Sequence, residues 1–388
     1  MKKSLTVRYM LHQMAYWAAA AGVMSFASAF LLAKGFTASQ VGVLLAAGNL
    51  LSCAVQPVLA DRADRAGGHI LTRLIVGLTS VCMLCFAALL AIPLPQAVYG
   101  LLYLLGIFKF DAMMPLMNAI AVACNHSGCK VNYGFCRGIG SLAFSIAALA
   151  IGEAIAAWGA DWMLWIVLAL LGGNILITLG YPPLENGGAE EKERTESCSI
   201  GAFFRRYKWY CMSLLGVMLL AMFHAMTENY LIEIFRPLGG DSGSVGVALF
   251  IATVAEMPVM LWFDQVRRRI SDQMLLKLSG VFFLLKAVLL LLAPSVTAIY
   301  FIQILQAVNY SFLSPTQVYY AGSKVALSDM VKGQAFITAS YTLGCAIGNF
   351  VGGQLLQFFS LTAMLTAGIV MAAAGTVILF ATVGKQDC

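Results

Sequence analysis

The chain of 388 residues is 61% hydrophobic and 11% charged, and its formal net charge is +6. This composition excludes a soluble domain with a single core and is typical of a protein that crosses a membrane many times. The excess basic residues then belong at the membrane surface, so the net charge indicates no nucleic-acid partner.

Twelve apolar segments are long enough to cross a bilayer as helices, for which roughly 20 residues are needed. They lie near residues 14–33, 38–60, 70–92, 97–121, 132–156, 161–181, 208–234, 244–263, 274–293, 297–320, 333–356 and 361–382. The sequence therefore predicts an all-α membrane protein, whose segments we number as spans 1 to 12.

Lysine and arginine predict the orientation, because basic residues near span ends are retained in the cytoplasm. With the N-terminus inside, only Lys34 and Arg236 fall at outer ends, and the other basic residues near span ends fall at inner ends. We therefore expect a multi-pass protein of the cell (inner) membrane with both termini in the cytoplasm.

The loop after span 2 reads ADRADRAGGH and begins at Ala60. It resembles the signature loop of the major facilitator superfamily, G-x-x-x-D-[RK]-x-G-[RK]-[RK], with Asp64, Arg65 and Gly67 in matching positions. Ala60 replaces the first glycine, and Gly-His replaces the two final basic residues. The resemblance covers essentially the whole chain and implies two six-helix bundles, with a gating role for this loop. The alternative is an ordinary basic inner loop.

Spans 4 and 5 carry ionisable groups at depth. Such groups cost roughly 2.5 kcal/mol or more at mid-membrane, so they usually face a bundle interior or a water-filled cavity. Asp111, Pro115 and Asn118 fall on one stripe of the span 4 helix. Arg137 lies in the first part of span 5. We assign Asp111, Asn118 and Arg137 to a solute-binding cavity.

The segment PPLENGGAEEKERTESCS, which begins at Pro182, is rich in charge and poor in hydrophobic residues. It predicts a flexible cytoplasmic linker at 182–205 between six-helix bundles at 1–181 and 206–388. The stretches SQVGVLLAAGNLLSC, entering span 2, and GSVGVALFIATVAEM, entering span 8, echo each other. This weak symmetry suggests a duplicated six-span unit with a site at mid-membrane between the halves.

The second half carries its own set of deep polar residues. His224 and Glu228 lie four residues apart and share a face of span 7, where they can share a proton. Glu256 lies in span 8, two residues before Pro258, and Lys286 lies in span 9. We assign Glu228, His224 and Glu256 to proton coupling, and Glu256 and Lys286 to solute binding.

Span 10 contains a polar series without charge, formed by Gln303, Gln306 and Asn309. These amides offer hydrogen bonds to a solute, and we include them in the predicted site. The alternative is that they join helices by hydrogen bonds inside the membrane.

Three further stretches, QPVLADRADRAG, NYGFCRGIGSLAF and VAEMP, resemble the branch of the superfamily that contains lactose permease and the phenylpropionate transporters. The resemblance implies that Arg137 and Glu256 belong to a solute and proton site. It also implies that Phe144 stacks on the solute and that Lys286 lies near a cationic position of span 9.

This chain departs from lactose permease at other positions. Asn118 stands approximately where that permease has a sugar-binding carboxylate. The span 10 amides stand where it has a lysine, a histidine and a glutamate. Neither lactose specificity nor that proton relay can therefore be carried over.

The assigned residues also have purely structural interpretations. Arg137 and Glu256 could form an ion pair that only compensates buried charge. His224 could be a hydrogen-bonded core histidine, and Phe144 could pack between helices. Lys286 could extend its ammonium group to an interface.

Taken together, these features predict a secondary active transporter that takes up a small polar solute with protons by alternating access. A sugar, a nucleoside or an aromatic acid would fit, and we expect a monomer without metal or cofactor. The alternatives are an uncoupled facilitator or an exporter of the same fold, and a membrane receptor or enzyme. Span 5 lacks the proline of exporter motifs, and no HExxH, GxSxG or Cys/His cluster indicates an enzyme.

The loop after span 2 yields a first testable prediction. If Asp64 and Arg65 make inner-face contacts that stabilise an outward-open state, Asp64→Asn shifts accessibility toward the inward-open state. Cysteine labelling of the two cavity mouths measures this shift, and unchanged labelling in the variant contradicts the assignment.

Overall fold

A computed structural model describes residues 2–65, 70–126, 131, 133–182, 199–326 and 329–385. Within these ranges the regular structure is helical, and no strand is formed. Among these described residues, eleven helices are long and apolar enough to cross a membrane, and a pair of helices bent by 48° makes a twelfth candidate span. The predicted all-α membrane fold is confirmed.

The first six spans follow the predicted order. Their helices are Lys2–Ala20, the π-helical turn Ala21–Ser25 and Ala27–Ala33 for span 1, Ala38–Arg65 for span 2, Ile70–Ala91 for span 3, Gln96–Ala112 and Met114–His126 for span 4, Tyr133–Trp158 for span 5, and Asp161–Leu179 for span 6.

The second six spans are preceded by a short helix, Ile200–Arg206. Their helices are Lys208–Asn229 and Leu231–Phe235 for span 7, Ser242–Leu261 for span 8, Asp272–Leu292 for span 9, Val296–Gln303 and Gln306–Lys324 for span 10, Met330–Phe358 for span 11, and Leu361–Thr382 for span 12. A 3₁₀ turn, Arg236–Leu238, follows span 7, and the helix Phe263–Arg269 connects spans 8 and 9.

The chain divides into two compact units. Unit 1 comprises Met1–Glu190 and Gly240–Phe250, and unit 2 comprises Glu191–Gly239 and Ile251–Cys388. The start of span 8 therefore belongs to unit 1, where span 5 approaches it closely. A Cβ atom on Gly152 would lie 2.5 Å from the Ser242 carbonyl oxygen and 3.0 Å from the Gly246 Cα. The predicted bounds of the two six-helix bundles, 1–181 and 206–388, stay a prediction.

Every third span, beginning with span 1, consists of more than one helical segment. The interruptions lie at Ala21–Phe26 in span 1, at Met113 in span 4, at Tyr230 in span 7 and at 304–305 in span 10. Irregular backbone at membrane depth is tolerated where protein or a water-filled cavity can satisfy its polar groups. Interrupted spans therefore mark the places within each unit where polar side chains are expected.

Span 11 packs against span 7 through three glycines spaced four residues apart. This spacing predicts close helix packing, and the structure confirms it. A Cβ atom on Gly344 would lie 2.5 Å from the Met218 carbonyl oxygen, and one on Gly348 would overlap the backbone of Met222. Gly352 in turn faces the Met226 side chain. Small residues let the two backbones touch.

We predict that Gly348→Ala destabilises the protein by about 1–3 kcal/mol, because the added methyl group meets backbone rather than a movable side chain. Gly322→Ala is the matched control, since nothing lies within 4 Å of its added Cβ atom. Thermal unfolding of the purified variants measures the difference. Equal midpoints for the two variants would show that a methyl group at position 348 is tolerated and would refute the requirement for glycine there.

Candidate functional site

A buried ion pair joins spans 7 and 9 in unit 2. The Lys286 Nζ lies 2.8 Å from the Glu228 Oε1, and the side chains of the two residues are 1% and 15% exposed. The same Nζ donates a hydrogen bond of 2.8 Å to the Gln306 Oε1 in span 10. The ammonium group of Lys286 in span 9 thus contacts spans 7 and 10 at the same time. The alternative in which Lys286 extends to an interface is wrong, because its side chain is enclosed by the bundle.

His224 lies near Glu228 but is not hydrogen-bonded to it among the described contacts. Its ring stacks on Tyr310 with the centroids 4.9 Å apart and the planes at 20°, and it meets the edge of Phe283 at 6.0 Å. Tyr310 also contacts the ring of Tyr341 at 6.5 Å. Glu228 therefore forms its ion pair with Lys286, while His224 belongs to an aromatic group beside the pair.

The interruption of span 10 lies next to this ion pair. Gln303 ends one helical segment and Gln306 begins the next, so both amides flank the break. Gln303 is fully buried beside Glu228, to whose carboxylate its Nε2 can donate, while its Oε1 has no hydrogen-bond partner among the described residues. The buried Nδ2 of Asn309 also has none, although its Oδ1 accepts a bond from the backbone N–H of Tyr310 at 2.5 Å.

Unsatisfied buried amides are rare in folded proteins, and each calls for a partner such as water or a ligand. Here two such atoms, the Gln303 Oε1 and the Asn309 Nδ2, lie in a broken span. Of the predicted span 10 series, Gln303 lies beside Glu228 and Gln306 binds Lys286 inside unit 2. The arrangement offers a hydrogen-bond donor and an acceptor in the same unit as the ion pair of Glu228 and Lys286, whose charges balance each other.

Glu256 is half-buried in span 8, two residues before Pro258, which lies inside the same helix. Proline has no N–H group, so the carbonyl of Val254 loses its helical donor at this point. The predicted partner of Glu256 is Arg137 of unit 1, and that pairing stays a prediction.

Arg137 lies in a polar and aromatic network of unit 1. Its Nη1 donates a hydrogen bond of 2.7 Å to the Ser141 Oγ, and its guanidinium carbon lies 3.5 Å from the centroid of the Trp17 ring. The Trp17 Nε1 donates to the Gln13 Oε1 at 3.0 Å, and the Gln13 Nε2 donates to the Tyr9 hydroxyl at 2.7 Å. Span 1 therefore positions the arginine through a cation–π contact and a chain of hydrogen bonds.

The predicted stripe of span 4 is divided by the interruption at Met113. Asp111 lies in the last turn of the first helical segment, which ends at Ala112. Asn118 lies in the second segment, where its Oδ1 accepts a bond from the Tyr133 hydroxyl at 3.2 Å. The Asp111 carboxylate has no ion pair or hydrogen bond with the described residues, whereas its backbone carbonyl accepts a bond from Gln56 at 3.1 Å.

Tyr16 lies within electrostatic range of both Asp111 and Arg137 and stacks on Phe110 with the centroids 4.6 Å apart. Phe144, the predicted stacking platform, is half-buried in span 5. The structure therefore groups Asp111 and Arg137 around Tyr16.

Two aromatic partners were absent from the predicted set. Trp17 covers Arg137, and Tyr310 stacks on His224. Tyr310 directly follows Asn309, so the polar and aromatic run in span 10 was a usable signal. Trp17 lies in an apolar stretch of span 1, where the sequence shows no sign of its partner.

The predicted gating motif falls at the end of span 2. Asp64 and Arg65 are the last residues of the helix, and Gly67 lies outside the described residues. The corresponding connection between spans 8 and 9 is described in full. There the Arg267 guanidinium donates two hydrogen bonds to Asp272, of 2.7 and 2.9 Å, and lies 3.5 Å from the Tyr319 ring centroid. These bonds to the Asp272 carboxylate raise the pKa of Arg267 above its usual value.

A cavity of about 640 Å³ lies in unit 1 away from these residues. It is lined by Lys34, Tyr99 and Asp161 together with the loop between spans 3 and 4. Lys34 and Asp161 form an ion pair of 2.5 Å at its edge. The cavity contains none of the predicted site residues, so its size is no argument for a solute site.

Comparison with known proteins agrees with this architecture. The family model described as the MFS_1-like family matches residues 6–367. A maltose permease of Geobacillus stearothermophilus is 24% identical over 339 residues, which are 84% of this chain and 81% of that protein.

Solved structures are similar over nearly the full length. A mutant of the nucleoside transporter NupG has a TM-score of 0.83 at 15% identity, covering 97% of this chain and 98% of that chain. Another NupG structure has a TM-score of 0.74 at 15% identity, with 98% of each chain covered. A bacterial homologue of the human lysosomal transporter Spinster has a TM-score of 0.68 at 12% identity, covering 98% of this chain and 96% of that chain. These similarities show the fold, and the narrower lactose permease branch stays a prediction.

The ion pair between Glu228 and Lys286 yields a testable prediction. Lys286→Gln leaves a carboxylate buried without its cation, which lowers the free energy of unfolding by about 3–5 kcal/mol. Adding Glu228→Gln removes the uncompensated charge and restores part of the loss. Unfolding midpoints of the two single variants and the double variant measure this coupling, and additive effects of the two substitutions would contradict it.

Proposed function

We propose that this chain, which belongs to the MFS_1-like family of membrane transport proteins, takes up a neutral, hydroxyl-rich solute together with protons by alternating access. The observation that carries the proposal is the group formed by Glu228, Lys286 and Gln306 at the broken span 10. It combines a carboxylate that can take a proton with a buried cation inside one unit, and the partly unsatisfied amide of Gln303 lies beside it.

The chemistry of this group favours a sugar or a nucleoside as the solute. The Gln303 Oε1 and the Asn309 Nδ2 are an acceptor and a donor that have no partner among the described residues, and hydroxyl groups of a solute can satisfy both kinds. The rings of Tyr310 and Tyr341 supply apolar faces for a sugar ring or a base. The maltose permease and nucleoside transporter among the similar proteins support the same solute class.

An aromatic acid is less well matched. A carboxylate solute needs a cation without a competing anion, and Lys286 is already neutralised by Glu228 at 2.8 Å.

The rival function is an uncoupled facilitator or an exporter on the same fold.

The proposed coupling step is protonation of Glu228. A proton on this carboxylate cancels its charge, so that Lys286 is left buried without an anion. A buried charge that has lost its partner is strongly unfavourable, and a conformation that hydrates Lys286 then becomes preferred. The proton thereby drives the change in access, while Gln306 keeps one hydrogen bond to the ammonium group.

We propose further roles within unit 1. Asp111, Arg137 and Asn118 bind solute there, with Phe144 as a stacking surface. The main role of Glu256 is to bind the solute, and it also takes part in proton transfer. Both termini face the cytoplasm, and the protein acts as a monomer in the inner membrane.

In proteoliposomes, we expect Glu228→Gln to abolish solute accumulation driven by a pH gradient while exchange of solute by counterflow continues. The neutral amide imitates the protonated carboxyl group, so the carrier can still reorient but cannot exchange a proton. Uptake and counterflow of labelled maltose and uridine, with and without the gradient, measure the two activities separately.

Asp111→Asn is the matched comparison, because it neutralises a membrane-embedded carboxylate that the proposal assigns to solute binding and not to proton coupling. It should weaken counterflow and gradient-driven accumulation together. Full accumulation by Glu228→Gln removes Glu228 from the coupling mechanism. Loss of accumulation with counterflow retained, in Asp111→Asn alone, assigns the proton to span 4 instead. Accumulation of neither solute by the unaltered protein contradicts the proposed solute class.

A further inference from the structure

Four lysines come together at the predicted inner face of unit 2. Lys208 begins span 7, Lys277 lies near the start of span 9, Lys324 ends span 10, and Lys385 follows span 12. Because odd-numbered spans begin and even-numbered spans end at this face, the topology brings all four to the same membrane boundary. We refer to these residues as the lysine cluster.

Direct contacts connect members of the lysine cluster. The Lys324 Nζ donates a hydrogen bond of 2.8 Å to the Lys385 carbonyl oxygen. The Nζ atoms of Lys385 and Lys208 lie 3.9 and 5.4 Å from the centroid of the same ring, Trp209. Lys277 approaches the C-terminal end of span 12, where its Nζ lies 4.0 Å from the position of a Cβ atom on Gly384.

The charge of the cluster is not balanced within the described structure. None of the four ammonium groups forms an ion pair with a described carboxylate. Like charges that lie this close repel one another, and the repulsion is stronger beside a membrane than in bulk water. Asp387 follows Lys385 by two positions in the sequence and lies outside the described residues. Even with that carboxylate, an excess of positive charge remains to attract an anion.

An exposed apolar surface begins where the lysines end. The Lys277 Nζ lies 5.6 Å from the centroid of Phe380, whose residue is 52% exposed. One helical turn deeper, Val281 on the face of Lys277 and Val377 on the face of Phe380 are 40% and 66% exposed. The positive charges are thus continuous with a strip of side chains at hydrocarbon depth, and Trp209 lies at the level where aromatic residues mark the interface.

We propose that the lysine cluster binds the phosphate of an anionic phospholipid, whose acyl chain lies along Val281, Val377 and Phe380. A soluble phosphate compound would use the charges but not the apolar strip, and this difference favours the lipid. Clusters of basic residues beside a span attract anionic headgroups of the facing leaflet. The site is separate from the transported solute, and only its assignment to the cytoplasmic leaflet rests on the proposed orientation.

The test uses the full chain in nanodiscs of phosphatidylcholine with and without phosphatidylglycerol. We expect phosphatidylglycerol to raise the thermal unfolding midpoint and to remain bound during purification, as mass spectrometry of the extracted lipid measures. The double variant Lys277→Gln, Lys385→Gln should bind this lipid roughly 30-fold more weakly, as expected from losing two interfacial cations.

The matched control is Arg268→Gln, Arg269→Gln, which removes two exposed charges from the helix between spans 8 and 9. It should retain the lipid and the shift in midpoint. An equal loss in this control overturns the proposal, because any two inner-face charges would then suffice.

Inorganic phosphate added to the detergent-solubilised protein separates the two sources of the anion. The same increase in midpoint with phosphate alone overturns the lipid assignment.

Unfolding in pure phosphatidylcholine reports whether the double variant folds. If it does not, Lys208→Gln replaces it, since this exposed side chain contacts only the Trp209 ring among the described contacts. Unchanged lipid retention in that variant also overturns the proposal. Transport activity is not measured, so failure here leaves the proposed transport function untouched.

Discussion

The hydrocarbon interior of a membrane offers no hydrogen bonds, and this constraint governs the chain. Regular helices satisfy their own backbone groups, which is why almost the whole described structure is helical. Polar side chains and broken backbone must find partners inside a unit. They therefore gather at a few places, of which the contact between Glu228, Lys286 and Gln306 is the most completely described.

This contact depends on the interruption of span 10. With one unbroken helix through Ile304, Gln303 and Gln306 would lie three residues apart and share a face. The break instead separates two segments whose ends carry the two amides. One amide accepts from the lysine, and the other lies beside Glu228 while its Oε1 has no partner among the described residues. A carrier needs polar groups that lack some hydrogen-bond partners in one conformation. If every hydrogen bond were formed, that conformation would be so stable that neither solute nor proton could shift the equilibrium away from it.

Close packing supplies the rigid surroundings that such a group requires. The glycines of span 11 let its backbone touch span 7, so that the segment carrying His224 and Glu228 is held along its length. In unit 1, the contact of span 5 with the start of span 8 uses glycine in the same way. A buried ion pair is a weak source of stability but a strong source of specificity in such a setting, since displacement of either partner is costly.

The sequence alone determined the number and order of the spans, because hydrophobic length is set by the thickness of the bilayer and is read residue by residue. It also identified Glu228, Lys286 and the span 10 amides as unusual, since each is costly in a membrane wherever it points. Only the tertiary structure decided which of them meet. Lys286 lies 58 positions from Glu228 in the chain, and no periodicity relates residues on different helices. The stacking of Trp17 on Arg137 has the same origin, since the packing of spans 1 and 5 aligns two residues that their local sequences leave unrelated.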